Sequence, residues 1–146
     1  MEDIQIILVD DDPIILKLQV RVLTKTLGVS PKHFLNGIDA LDYLKNVYDE
    51  KSSFIILLDI NMPEVSGWDV LDEIQKLPFH DNVKVALVTS SVDAYDKRKA
   101  AKYHSVVDFI EKPFRPNCID RLKANPELSI FLSVLFAGLF VLQRAY

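Results

Sequence analysis

The chain has 146 residues, 49% of them hydrophobic, with one cysteine and a formal charge of −4. That length sits near the commonest domain size and allows one sizeable core. The acidic balance argues against a nucleic-acid surface, which needs clustered Lys and Arg, and the single Cys118 excludes an intrachain disulfide and a multi-cysteine zinc site. The opening Met1-Glu2-Asp3 is acidic and leads into a strand, so no secretory signal is expected and the reading is a cytoplasmic protein.

Residues 5–9 form a short apolar run that suits a strand buried on both faces. Asp12-Pro13 then opens a helix, with Asp12 as N-cap, Pro13 in the first turn and Gly28 as terminator. Ile15, Leu18 and Val22 are its expected apolar stripe. A weak strand at 32–35 is followed by Asn36-Gly37 and a helix carrying Ala40, Leu41 and Leu44. A polar loop at 48–53 precedes a strand at 54–58. After the loop through Met62-Pro63 to Gly67 comes a helix with Val70, Leu71, Ile74 and Leu77. Strands at 83–88 and 106–110 flank a polar helix at 93–104 that has little to bury. Five β–α units with short connections predict a parallel sheet with helices on both faces, joined by right-handed crossovers.

Two strand ends are acidic. Asp10, Asp11 and Asp12 close the first strand, and Asp59 closes the third. If those strands lie side by side and parallel, the carboxylates share the crevice in which open α/β sheets bind ligands. Clustered carboxylates repel one another unless a cation joins them, and oxygen donors suit a hard ion such as Mg²⁺. His33, His80 and His104 show no shared ligand spacing and are read as structural or surface residues.

Five segments, each at a strand end or helix start, carry a family resemblance: Val9-Asp10-Asp11, Leu58-Asp59-Ile60-Asn61-Met62-Pro63, Gly67, Val88-Thr89-Ser90 and Glu111-Lys112-Pro113-Phe114. Over residues 4–124 the chain resembles the receiver domains of two-component response regulators. The resemblance implies a flavodoxin-like, doubly wound five-stranded sheet of order 2-1-3-4-5. It implies Asp59 as phosphoacceptor, served by Lys112 and Thr89. It also implies a Mg²⁺ site built from Asp10, Asp11, Asp59 and the backbone carbonyl of Asn61, a switch pair of Thr89 and Phe109, and a cis Lys112-Pro113 bond. The donor would be a phosphohistidine of a sensor histidine kinase or histidine phosphotransfer protein. With no nucleic-acid partner and only about twenty residues after the receiver, output would run by contact with a downstream protein. Such a protein is not an enzyme in the ordinary sense, although it assists its own phosphorylation and dephosphorylation. Two other readings stand beside this one. The first is a phosphorylation-independent interaction module of the same fold. The second is a haloacid-type phosphatase, which Ile14 disfavours because Thr or Val belongs there.

Residues 125–146 depart from the resemblance. A helix starting near Asn117 with Ile119 and Leu122 meets Asn125-Pro126, which suits a new helix start. From Leu128 to Leu142 no residue is charged and only Ser129 and Ser133 are polar, so the helix is apolar all round. Ser129, Ser133 and Ala137 recur every fourth residue, which permits close helix approach. The sequence leaves three options: self-association or docking on a partner, a short membrane anchor, or an unnatural terminus. It predicts that the tail does not fold back, and that a chain ending near Asn125 is the better behaved.

Overall fold

A buried strand in a parallel sheet must satisfy its backbone by pairing, and the apolar runs at the centre of this sheet do so with one another. The computed structural model describes the backbone of residues 3–144 and the side chains of residues 3–135. The strands are β1 (Asp3–Val9), β2 (Lys32–Phe34), β3 (Ser52–Leu58), β4 (Val83–Thr89) and β5 (Val106–Glu111). The helices are α1 (Pro13–Leu27), α2 (Gly37–Val47), α3 (Gly67–Gln75), α4 (Ala94–Ala100), α5 (Pro116–Ala124) and α6 (Pro126–Arg144). The sheet runs β2-β1-β3-β4-β5, all parallel, as expected.

Side chains alternate across each strand, so the sheet has two apolar faces. Ile7, Val9, Ile56, Leu58, Val85 and Leu87 pack under α2 and α3. Ile6, Leu8, Ile55, Leu57 and Val88 pack under α1, α5 and α6. Helix ends follow the local chemistry. Asp12 accepts from the N–H groups of Ile14 and Ile15, and Gly28 closes α1 at φ 66°, a left-handed conformation that suits glycine. Ser66 and Asp69 form a reciprocal capping box at α3.

The expected stripe of α1 is corrected. The buried positions are Leu16, Gln19, Leu23 and Leu27, while Leu18 is 53% exposed. Spacings of three, four and four are a regular helix face, but a polar Gln19 at its centre conceals the face from a hydrophobic count. The helix expected at 93–104 is a shorter one, α4, in which Ala100 is the only buried residue.

The tail reading also changes. Asn125 caps α6 through its side-chain oxygen, which accepts the Glu127 N–H at 2.9 Å, and its amide nitrogen donates to Val107 O at 2.8 Å. This turn directs α6 back along the domain. Leu128 and Leu132 are buried among Ile6, Leu23, Leu27, Ile55, Leu57, Ile119 and Leu122. The outer side, at Ile130, is 68% exposed. The start of α6 is therefore part of the second core, not a free tail. The side chains of residues 136–142 lie outside the described set. No helix among the described residues is long and apolar enough to cross a membrane.

At the sheet edge, β1 pairs with β2 only from Ile7↔Lys32 to Val9↔Phe34. Pro31 precedes β2 and has no N–H to extend the ladder. Beside the unextended part, Tyr43 Oη donates to Gln5 Oε1 at 2.5 Å.

Since Leu128 fills the core, Leu128→Ala should lower the unfolding free energy by about 2–5 kcal/mol in urea denaturation. Ile130→Ala on the outer face should stay within about 0.5 kcal/mol of the parent. Equal effects at the two positions would mean that α6 does not pack in this way.

Candidate functional site

The pairing of β1 with β3 sets the site. Val9 and Leu58 are in register at the strand ends, and the Asp59 N–H donates to Val9 O at 2.9 Å. Asp10 and Asp59 therefore leave adjacent strands side by side. Asp10 is 1% and Asp59 5% exposed, whereas Asp11 faces solvent. A carboxylate oxygen from each of Asp10, Asp11 and Asp59 lies within 4.8 Å of the other two. The Asp12 N–H donates to Asp10 Oδ1 at 2.9 Å, so the turn that caps α1 also orients Asp10.

The cation comes from the far side of the sheet. At the end of β5 the Lys112 N–H donates to Thr89 O at 2.8 Å, and a cis Lys112-Pro113 bond follows. The Lys112 ammonium lies 2.6 Å from Asp10 Oδ2 and 3.4 Å from Asp59 Oδ2. Thus one positive charge faces two buried negative ones. Burial raises the Asp59 carboxyl above its ordinary value, and the Asp10 charge raises it further. The charge and hydrogen bond of Lys112 and the Asn61 N–H oppose them. For Lys112 burial acts downward, yet the Asp10 hydrogen bond and the charges of Asp59 and Asp10 leave it above its usual value.

Gly67 allows α3 to approach this pocket. A Cβ there would lie 2.4 Å from Asp59 O and 2.8 Å from the Ile60 Cα, and the Gly67 N–H donates to Ile60 O at 2.8 Å. Only glycine fits such an approach without displacing the backbone that carries Asp59.

Of the remaining expected residues, Thr89 is fully buried at the end of β4, where its hydroxyl oxygen accepts the Ser91 N–H at 3.2 Å. Asn61 meets Asp59 through its N–H, and its side chain is exposed. Phe109 lies on β5. It is half-buried against the α2/α3 core, with the Lys97 ammonium 5.9 Å from its ring centroid. Sequence reasoning missed the link beyond Thr89: Ser91 Oγ donates to Asp96 of α4 at 2.5 Å. The Ser91–Asp96 spacing of five offered no motif to find it by.

Carboxylates clustered at the ends of two parallel strands, with a lysine brought in from a third, form one acidic pocket at the C-terminal edge of the sheet. The family model for the response regulator receiver domain matches residues 6–122, and the chain belongs to that family. It is 32% identical over 118 residues to chemotaxis protein CheV1 of Helicobacter pylori, covering 80% of this chain and 36% of that protein. It is 30% identical over 109 residues to the sensor histidine kinase CheAY of the same organism, covering 75% of this chain and 13% of that one. The chain thus spans about a third or less of the length of these two relatives. A two-component response regulator from Cytophaga hutchinsonii superposes with a TM-score of 0.72 at 28% identity, over 83% of this chain and 94% of that one. The Vibrio cholerae chemotaxis protein CheY4 superposes with a TM-score of 0.71 over 86% of this chain and 99% of that one; at 17% identity this likeness concerns the fold alone. As a receiver domain, the chain is a phosphoacceptor element of two-component signalling.

The electrostatics give a signed prediction. A carboxyl whose folded-state value is raised adds stability while protonated and loses it as pH climbs through that value. In chelator-containing buffer at pH 7, Asp59→Asn should therefore melt above the parent. The gap should narrow as pH falls through the raised folded-state value and close below the ordinary carboxyl value of 3.8, where the group is protonated in the folded and unfolded chains alike. Thermal melts across that range are the measurement, and a less stable Asp59→Asn at pH 7 would contradict the repulsion described above.

Proposed function

We propose that Asp59 is the residue that takes the phosphoryl group. The observation that carries the reading is the convergence of Asp10, Asp11 and Lys112 on its carboxylate. One Asp59 oxygen attacks phosphorus of a phosphohistidine, a P–O bond forms, the P–N bond breaks, and its electron pair returns to the imidazole nitrogen. Such transfers depend mainly on positioning and on neutralising charge at the equatorial oxygens. Lys112 supplies one fixed positive charge, and its backbone tie to Thr89 holds it at the pocket. Asp10, Asp11 and Asp59, with the Asn61 carbonyl, would hold Mg²⁺. Three carboxylates with one lysine leave an uncompensated negative charge, and all the donors are hard oxygens. When bound, that ion supplies further electrostatic neutralisation of the phosphoryl oxygens.

Thr89 would turn its hydroxyl to a phosphoryl oxygen, giving up the Ser91 N–H. Since Ser91 also holds Asp96, that change would loosen α4, and Phe109 would adjust beside it. The same pocket would assist transfer of the phosphoryl group to water, which returns the protein to its resting state. We read residues 4–124 as the receiver unit and residues 125–146 as an extension whose first turns serve its core. The donor is a sensor histidine kinase or a phosphotransfer protein, the setting is the cytoplasm, and output runs through a downstream protein.

Acetyl phosphate with Mg²⁺ should label the wild-type chain, seen by intact mass. Asp59→Asn should remove the label, and Asp11→Ala should slow labelling and shrink the Mg²⁺-induced rise in melting temperature. Label retained in Asp59→Asn would move the acceptor elsewhere. No label on the wild-type chain would favour the phosphorylation-independent interaction module.

A further inference from the structure

Charge in this acidic chain is unevenly spread. A cleft of about 430 Å³ runs between α3 and α4, lined by Asp72, Tyr95, Arg98, Lys99, Lys102 and Tyr103. Three cations there face one carboxylate, although the chain as a whole carries −4. Tyr95, Arg98 and Lys102 are spaced three and four apart, so they share a face of α4 and its final turn. The carboxylates of α4 are engaged at its other end: Asp93 caps the helix and Asp96 accepts from Ser91. On α3, Asp69 is held in the capping box by Ser66, and Asp72 accepts the Tyr103 hydroxyl at 2.8 Å. Lys99 lies over the Trp68 ring at 4.6 Å, which itself stacks on Tyr103. The side chains of Arg98 and Lys102 are exposed and make no ion pair or hydrogen bond among the described residues.

From this arrangement we infer that the α3/α4 cleft is a docking site for an acidic peptide segment of a partner protein. Arg98 and Lys102 offer unpaired cations to its carboxylates, and the rings of Tyr95 and Tyr103 offer apolar contact between them. Arg suits planar bidentate pairing with a carboxylate, which gives the segment an orientation. A long polyanion such as a nucleic acid fits less well, because its charge would extend past a patch of three cations onto an acidic surface. The cleft contains none of the phosphoacceptor residues, so the inference stands or falls apart from the chemistry at Asp59.

The test is a selection of a random dodecapeptide phage library on the full unphosphorylated chain, counter-selected against Arg98→Glu/Lys102→Glu. Both replaced side chains are exposed, and circular dichroism checks that the variant keeps its fold. Enriched peptides should be net negative and carry an aromatic or aliphatic residue. As free peptides they should bind the parent about tenfold or more tightly than the variant, and more weakly as salt rises. Amide shifts in NMR should centre on Tyr95, Lys102 and Tyr103. No enrichment, net-neutral or basic winners, shifts centred elsewhere, or equal binding to the variant would overturn the proposal. Tighter binding of an oligothymidine than of any selected peptide would overturn it in favour of a nucleic-acid surface.

Discussion

The structure turns on one electrostatic constraint: two carboxylates, Asp10 and Asp59, are buried together and share one ammonium, that of Lys112. Burying either acid alone would be costly, and burying both without a cation more so. The three residues come from the ends of β1, β3 and β5, which are not all neighbours in the sheet. Register carries the arrangement across the gap. β1 and β3 end together at Val9 and Leu58, and β4 fixes β5 through the Thr89–Lys112 backbone bond. A slip of one residue would turn an acid into the apolar core in the first pairing and swing Lys112 away from the acids in the second.

Beneath this polar rim the sheet is packed with apolar side chains on both faces. Motion is easier further out. α4 is short, buries only Ala100 and is tied to the rim through Ser91 and Asp96. α3, by contrast, is pressed against the backbone of Asp59 through Gly67. One neighbouring helix is thus fixed to the end of β3, and the other is joined to the end of β4 by two side-chain hydrogen bonds. A difference of this kind makes local shifts easier in α4 than in α3.

Most of the site was legible because its residues sit where strands stop, and an apolar run followed by Asp or Lys-Pro is visible without coordinates. Asp12, Gly28 and Asn125 could likewise be read as helix punctuation, since each acts on the backbone next to it. What could not be read depends on partners distant in the chain. The buried face of α1 is hidden by Gln19, a polar residue at a core position. The direction of α6 depends on the Asn125 amide finding Val107 O, eighteen residues away in sequence. An all-round apolar helix carries no stripe to say which side faces inward, so the sequence left the tail open between another molecule, a membrane and an unnatural terminus, and did not point to the packing of Leu128 and Leu132 on this domain. The α3/α4 cleft was equally silent, because Asp72 and Tyr103 are 31 residues apart and meet only once β4 has been laid between them.

The late start of β2 has a consequence for solubility. A strand flank without a ladder partner is a template on which a second molecule can add its own strand, the first step toward fibrous aggregates. Here Pro31 has no N–H with which to extend β2 along β1, so among the described residues no strand pairs with that flank from Asp3 to Ile6. The Tyr43–Gln5 bond sets a bulky ring beside this flank, and the neighbouring Lys32 adds a charge that an incoming strand would have to desolvate. An aromatic guard and a lysine gatekeeper thus do the protective work that a longer β2 would otherwise have done.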